Sequence, residues 1–446
     1  MILTCMLSIG CTSSDEPEWR YPGYDATESH AYPATNSLDG EPHYRVVRSL
    51  QPGEQPQKLL IADVRGGAAP ELVITTNKTL NIHPLHGRRH LQVKLPTGTL
   101  EAGFVADLDG DNKGELMLGA GGEQPRVYAM NGAGQVVLKV QVDTERGVYQ
   151  RTLPLLLTGD TLIAIARPGT AYTPRGVLAF STGSGVLDWM YSVPFDPCGA
   201  IALPDPTGRS RIILHTNLSF QGTYPYLGVQ RHEERRADAE LHLVEMDTTG
   251  STQRALSIGG PTRAVIGNGT YFLLETGKRT PLLLLREVEP GHVYGDVAYD
   301  AALHVVDRVT GEIEESYEVP NGWRVGDVRV LPASEEGGFA VILLVRSDTA
   351  PSRLIALDSR LRPLVTREAV KATLGPVLDY DGREATRLVV TTKEGLLIYD
   401  RHLHPTGTYP VIEGSSLGSV TAIAYTEYRG SAYVAALGRE LHLWHW

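Results

Sequence analysis

The sequence predicts an all-β protein, a β-propeller of eight four-stranded blades, with seven blades as the alternative. Three observations carry that expectation. A pattern of short apolar strands and Gly/Asp turns recurs about every 46 residues from residue 57 onward. Within it, apolar and polar residues alternate with period two, as half-buried strands require. The last unit is one strand short, and a strand-like segment lies at the opposite end of the chain.

The repeat is clearest in the third strand of each unit and the turn that follows it. It reads VYAMNGAGQVVLKV (127–140), VLAFSTGSGVLDWM (177–190), LHVVDRVTGEIEESY (303–317) and LLIYDRHLHPTGTY (396–409). The first and second strands recur as LLIADVRGGAAPELVI (59–74), FVADLDGDNKGELML (104–118) and PVLDYDGREATRLVV (376–390). Units start near residues 57, 101, 150, 198, 261, 324, 373 and 418. A single blade cannot bury both of its faces, so blades must pack on one another, and closing the ring removes the exposed edges. The eighth unit ends at Trp446 after three strands. Its fourth is expected from His43 to Leu50, so that the two ends of the chain pair and close the ring.

The propeller is therefore expected over 43–446, behind two short segments. Residues 1–11 are apolar and end in Leu7-Ser8-Ile9-Gly10-Cys11, which resembles a bacterial lipoprotein signal. The resemblance implies a lipid on Cys11. No Lys or Arg precedes the apolar run, which fits a start upstream of Met1. Residues 12–42 are rich in Ser, Asp, Glu and Pro, and are expected to form a disordered tether. No window approaches about 18 uninterrupted apolar residues, so contact with the membrane is expected through the lipid anchor only. The net charge of −11 argues against nucleic acid, which needs a basic face. A monomer in the bacterial cell envelope is expected.

Phe104 to Leu116 (FVADLDGDNKGEL) resembles the FG-GAP/VCBS repeat of extracellular propellers, including the integrin α-subunit head. Strand pairs such as 176–189 resemble quinoprotein-like repeats, among them those of the eight-bladed lipoprotein that assists β-barrel assembly. Both resemblances imply an extracytoplasmic propeller. In the turn 107–115, oxygen ligands at alternate positions can converge on one hard cation, and Ca²⁺ takes 6–8 oxygens. Asp107, Asp109 and Asp111 offer carboxylates, Lys113 its backbone carbonyl and Glu115 a closing carboxylate, which matches the FG-GAP spacing. An EF-hand is excluded, because Asn112 and Leu118 stand where its Gly and Glu are needed. In blades 1, 4 and 7 an arginine enters the equivalent set (Arg65, Arg211, Arg383 and Arg387), and bidentate pairing is expected to replace the ion there. One structural calcium, in blade 2, is expected.

An enzyme is not expected. Quinone-dependent dehydrogenases carry a vicinal cysteine pair, whereas the cysteines here are Cys5, Cys11 and Cys198. The chain has no nucleophile elbow, HExxH or Walker loop. The loops between second and third strands are long in three adjacent blades, at about 167–176, 216–239 and 287–300. They carry Tyr172, Phe220, Tyr224, Tyr226, Tyr294 and Tyr299, and rigid amphipathic aromatics are enriched at binding faces. The expected function is a binding or adhesion module for a protein or glycan ligand. The alternative is a periplasm-facing scaffold of an envelope assembly machine.

Overall fold

The computed structural model describes residues 31–446 apart from 52, 67–68, 77–78, 87–89, 95–99, 112, 121–125, 142–148, 169–175, 193–195, 205–209, 218–240, 259–270, 274–281, 289–299, 308–309, 332–339, 370, 380–385, 393–394, 412–416 and 418–419. Cys11 and residues 12–30 lie outside the described residues. The fold is a multi-bladed β-propeller. The described strands form eight sheets, here called blades 1 to 8, over 56–94, 100–141, 149–192, 196–258, 271–318, 324–368, 373–410 and 422–445. Each holds four antiparallel strands, the fourth strand of blade 8 being His43–Ser49, and the sheet of blade 7 has a fifth, parallel strand at its edge.

Burial explains the strand patterns. Second strands such as Glu71–Thr76 and Glu115–Ala120 are buried at every position, because a neighbouring blade covers each face. Outer strands such as Pro363–Glu368 and Pro405–Pro410 bury no residue fully and half-bury only alternate ones. The core is divided among the seams between blades. One cluster joins Val73 and Ile82 of blade 1 to Leu116 and Tyr128 of blade 2, and the next joins Phe104 of blade 2 to Phe180 of blade 3. First strands touch first strands from blade 1 through blade 4 and from blade 6 through blade 8, and that of blade 8 touches that of blade 1.

Ring closure follows the expectation that the two ends of the chain pair. His43 pairs with His445, Tyr44 with Trp444 and Arg45 with Leu443, and a bulge falls between Val46 and Arg48. Trp444 is wholly buried, and the Tyr44 hydroxyl stands 2.7 Å from His442 Nδ1. Each main-chain bond adds roughly 0.5–1.5 kcal/mol net, so a strand of this length outweighs any single surface contact.

The expected tether differs from the structure at its end. Ala31–Pro33 forms a short strand that pairs in parallel with the first strand of blade 7, Thr373–Asp379. Ala34 and Leu38 are buried between blades 7 and 8, and the Tyr409 hydroxyl donates to the Leu38 carbonyl at 2.7 Å. Glu427 accepts the backbone N–H of Thr35 at 2.7 Å and of Asn36 at 3.0 Å. Composition reads these residues as tether because two small apolar side chains build no core by themselves. They need only fill a seam that already exists.

Candidate cation site

The acidic turn joins the first strand of blade 2, Leu100–Ala106, to its second, Glu115–Ala120. Two glycines allow its shape. Gly110 has φ of +77°, a left-handed conformation that a Cβ disfavours. Gly114 packs so closely that an added Cβ would come within 2.3 Å of Val105 Cγ1. Its amide donates to the Asp63 carbonyl at 2.9 Å, tying this turn to the matching turn of blade 1.

The turn brings Asp107, Asp109 and Glu115 together, with one carboxylate oxygen of each within 4.8 Å of the others. Asp107 Oδ1 accepts the Gly110 amide at 2.7 Å, and Asp109 Oδ1 accepts the Asp111 amide at 3.1 Å. Glu115 is 4% exposed and accepts the Leu108 amide at 2.9 Å. Burial pushes the Glu115 carboxyl above its ordinary range. The Leu108 amide opposes that shift, and the charges of Asp109, Asp107 and Asp111 add to it.

Asp111 stands apart from the group. Its carboxylate accepts the Lys113 amide at 2.8 Å and pairs with Lys113 Nζ at 2.5 Å, a hydrogen bond that holds it below the usual carboxylate range. One of the expected ligands, the Asp111 carboxylate, is thus engaged by the amide and side chain of Lys113 and not by the cluster. The aliphatic stem of Lys113 lies over Gly66 of blade 1, a contact that no spacing rule points to.

The arginine substitution differs from expectation in blade 1. Arg65 Nε lies 4.0 Å from Glu71 Oε1, a single long ion pair and no bidentate fork. Asp63 instead accepts the amides of Arg65 and Gly66 at 3.2 and 2.7 Å. Burial and, more weakly, Asp63 push Glu71 up to about 7, against the Val64 amide and Arg65. Asp205, Asp381 and Arg383 in blades 4 and 7 lie outside the described residues. So do all six aromatics of the expected binding face, Tyr172, Phe220, Tyr224, Tyr226, Tyr294 and Tyr299. Cys198 falls in the first strand of blade 4, Asp196–Pro204.

No family model matches the chain, and no curated protein matches it in sequence. Solved structures do match in fold. Quinohemoprotein alcohol dehydrogenase from Comamonas testosteroni superposes with a TM-score of 0.59 at 13% identity, over 96% of this chain and 80% of that one. Quinohemoprotein alcohol dehydrogenase ADHIIG from Pseudomonas putida HK5 gives 0.62 at 12%, over 96% and 80%. A europium-containing methanol dehydrogenase gives 0.59 at 12%, over 95% and 90%. The likeness is one of fold. It overturns the expectation that an enzyme is excluded, because the architecture is one that alcohol and methanol dehydrogenases also use.

Proposed function

We propose that this chain is a calcium-loaded β-propeller serving as a binding or adhesion module for a protein or glycan, held at a bacterial envelope by a lipid on Cys11. The observation that carries the proposal is the convergence of Asp107, Asp109 and Glu115 within 4.8 Å, in a turn whose spacing resembles that of FG-GAP repeats. Their chemistry suits a hard cation, which prefers carboxylate and carbonyl oxygens. The Lys113 carbonyl, second carboxylate oxygens and water would complete the shell, and Asp111 would join it by releasing Lys113. An ion there would also relieve the burial of Glu115 among like charges. The ion's role is structural, since the turn it occupies is tied to blade 1 through Gly114.

The ligand would meet the long loops on the opposite rim, where antiparallel order places every connection between second and third strands. Calorimetry on the full chain should find one Ca²⁺ per molecule in the range of about 10⁻⁴–10⁻³ M typical of extracellular modules. Asp109→Ala should remove it. A glycan and surface-protein array should give ligands whose binding falls in the double variant Tyr224→Ser, Tyr226→Ser. An unchanged array profile in that variant would show that the loop face is not the site. Protection of the protein from protease on intact cells would favour the periplasmic scaffold instead.

A further inference from the structure

We infer that the groove where the closing strand meets blade 1 is a pocket for an oxyanion, the carboxylate or phosphate group of a small acidic ligand. The pocket is about 350 Å³. Arg45 and Arg48 of the closing strand form one wall, and His83, His90 and Gln92 of blade 1 form the other. Among the described residues that line it, none is acidic, in a chain whose net charge is −11. The carboxylate that comes near the described lining is Glu54, behind Arg48 and paired with it.

Two side chains in its walls are held short of partners. Arg48 commits one nitrogen to Glu54, with Nη2 2.9 Å from Oε2, while its Nη1 is buried and unpaired. His83 is 6% exposed, its ring stacks on His90 at 5.1 Å, and its Nε2 is likewise buried and unpaired. Buried polar atoms are normally satisfied, so two orphans in one pocket call for a missing partner. Burial above all, with the charges of His90, Arg48 and Arg65, brings His83 down to about 4. An oxyanion in the groove would face the exposed guanidinium of Arg45, and a small rotation of Arg48 or His83 would bring its unpaired nitrogen to the anion. Guanidinium groups bind carboxylate and phosphate in a fork geometry. Ser49, Gln51 and Gln92 add neutral hydrogen-bonding groups suited to the hydroxyls of a sugar acid. Arg45 and His90 are exposed, which leaves the mouth open to solvent.

The pocket shares no residue with the acidic turn or the long-loop face, so it stands or falls apart from the proposed function. The test is calorimetry on the full chain at constant ionic strength, with glucuronate and with inorganic phosphate as probes. One of the two should bind once per chain at millimolar concentration or tighter. Arg48→Gln and His83→Gln should each weaken that binding about tenfold or more, and Asp109→Ala should leave it unchanged. The His83 ring should titrate at higher pH with the anion present, read by NMR. Binding of glucuronate alone assigns a carboxylate ligand, and binding of phosphate alone assigns a phosphate. Should Arg48→Gln fail to fold because Glu54 loses its partner, the exposed variants Arg45→Gln and His90→Ala carry the test. No binding of either probe at tens of millimolar, or affinities unchanged in His83→Gln and Arg45→Gln, would overturn the inference.

Discussion

In blade 1 the first strand leads into its turn at Asp63; in blade 2 the same step is taken at Asp107. Val64 donates to Glu71 at 3.0 Å just as Leu108 donates to Glu115 at 2.9 Å, and Gly66 and Gly110 hold matching left-handed positions. The two turns differ at the third position, where blade 1 has Arg65 and blade 2 has Asp109. Blade 1 thus carries a cation within the chain, and blade 2 an added anion. Yet Arg65 reaches Glu71 only at 4.0 Å, and Glu71 is still driven up to about 7. A distant guanidinium does not offset the burial of a carboxylate. Blade 1 makes up the deficit with a proton near neutral pH, and blade 2 has a cluster suited to a metal ion.

The largest test of this comparison is the ion itself. Calcium at about a hundred times its dissociation constant should stabilise the fold by roughly 2.7 kcal/mol through mass action. Thermal melts in calcium and in chelator should differ accordingly, and Asp109→Ala should make them coincide. Identical wild-type curves would remove the contrast between the two turns.

The next test concerns the proton. Glu71 is raised from 4.5 to about 7 in the folded state. The folded protein therefore favours the protonated form, and the stability that gives is complete below pH 4.5 and lost as pH rises through 7. Glu71→Gln mimics the protonated side chain. It should gain on the order of 2–3 kcal/mol at pH 8 relative to the wild type and nothing at pH 4. Denaturant melts at both pH values read the difference, and an equal effect at both would mean that Glu71 does not titrate on folding.

Exchanging the deciding residue sharpens the comparison further. Arg65→Asp should confer weak calcium binding on blade 1 and raise the stoichiometry from one toward two. A stoichiometry that stays at one would show that the arginine is not what keeps the ion out. The smallest effect is expected at the glycines. Gly66→Ala and Gly110→Ala each place a Cβ in a left-handed conformation, at about 1–2 kcal/mol. Only at position 66 does the new atom meet the Lys113 stem, at 2.5 Å, and at 110 nothing lies within 4 Å. The excess cost of the first variant over the second measures the contact between blades.

Much of this fold is legible along the chain because a propeller repeats one local solution. Each four-stranded unit carries its own alternation and turn residues, so the pairing of His43–Ser49 with Glu440–His445 and the unit starts can be read without a structure, except in blade 5, expected near 261, where the first described strand begins at Tyr271. The acidic turn is legible for the same reason, since its ligands lie within nine residues. The fate of Asp111, drawn to Lys113 instead of the cluster, depends on a side-chain competition that spacing does not resolve. The docking of Ala31–Pro33 and Leu38 was not legible, because it depends on the shape of a seam formed by residues more than 300 positions away.

By itself, the sequence determined the all-β repeat, the closure of the ring by its own ends and the presence of an acidic turn at 107–115. These are local patterns, in which neighbouring residues decide strand, turn and burial. Only the tertiary structure decided which carboxylates of the acidic turn converge, how far Arg65 stands from Glu71, and that Arg48 and His83 each bury one unpaired nitrogen in the walls of one groove. Those outcomes depend on distances of a few ångströms between separate strands and blades. Electrostatic energy varies steeply over such distances in a buried seam, and sequence spacing carries no information about them.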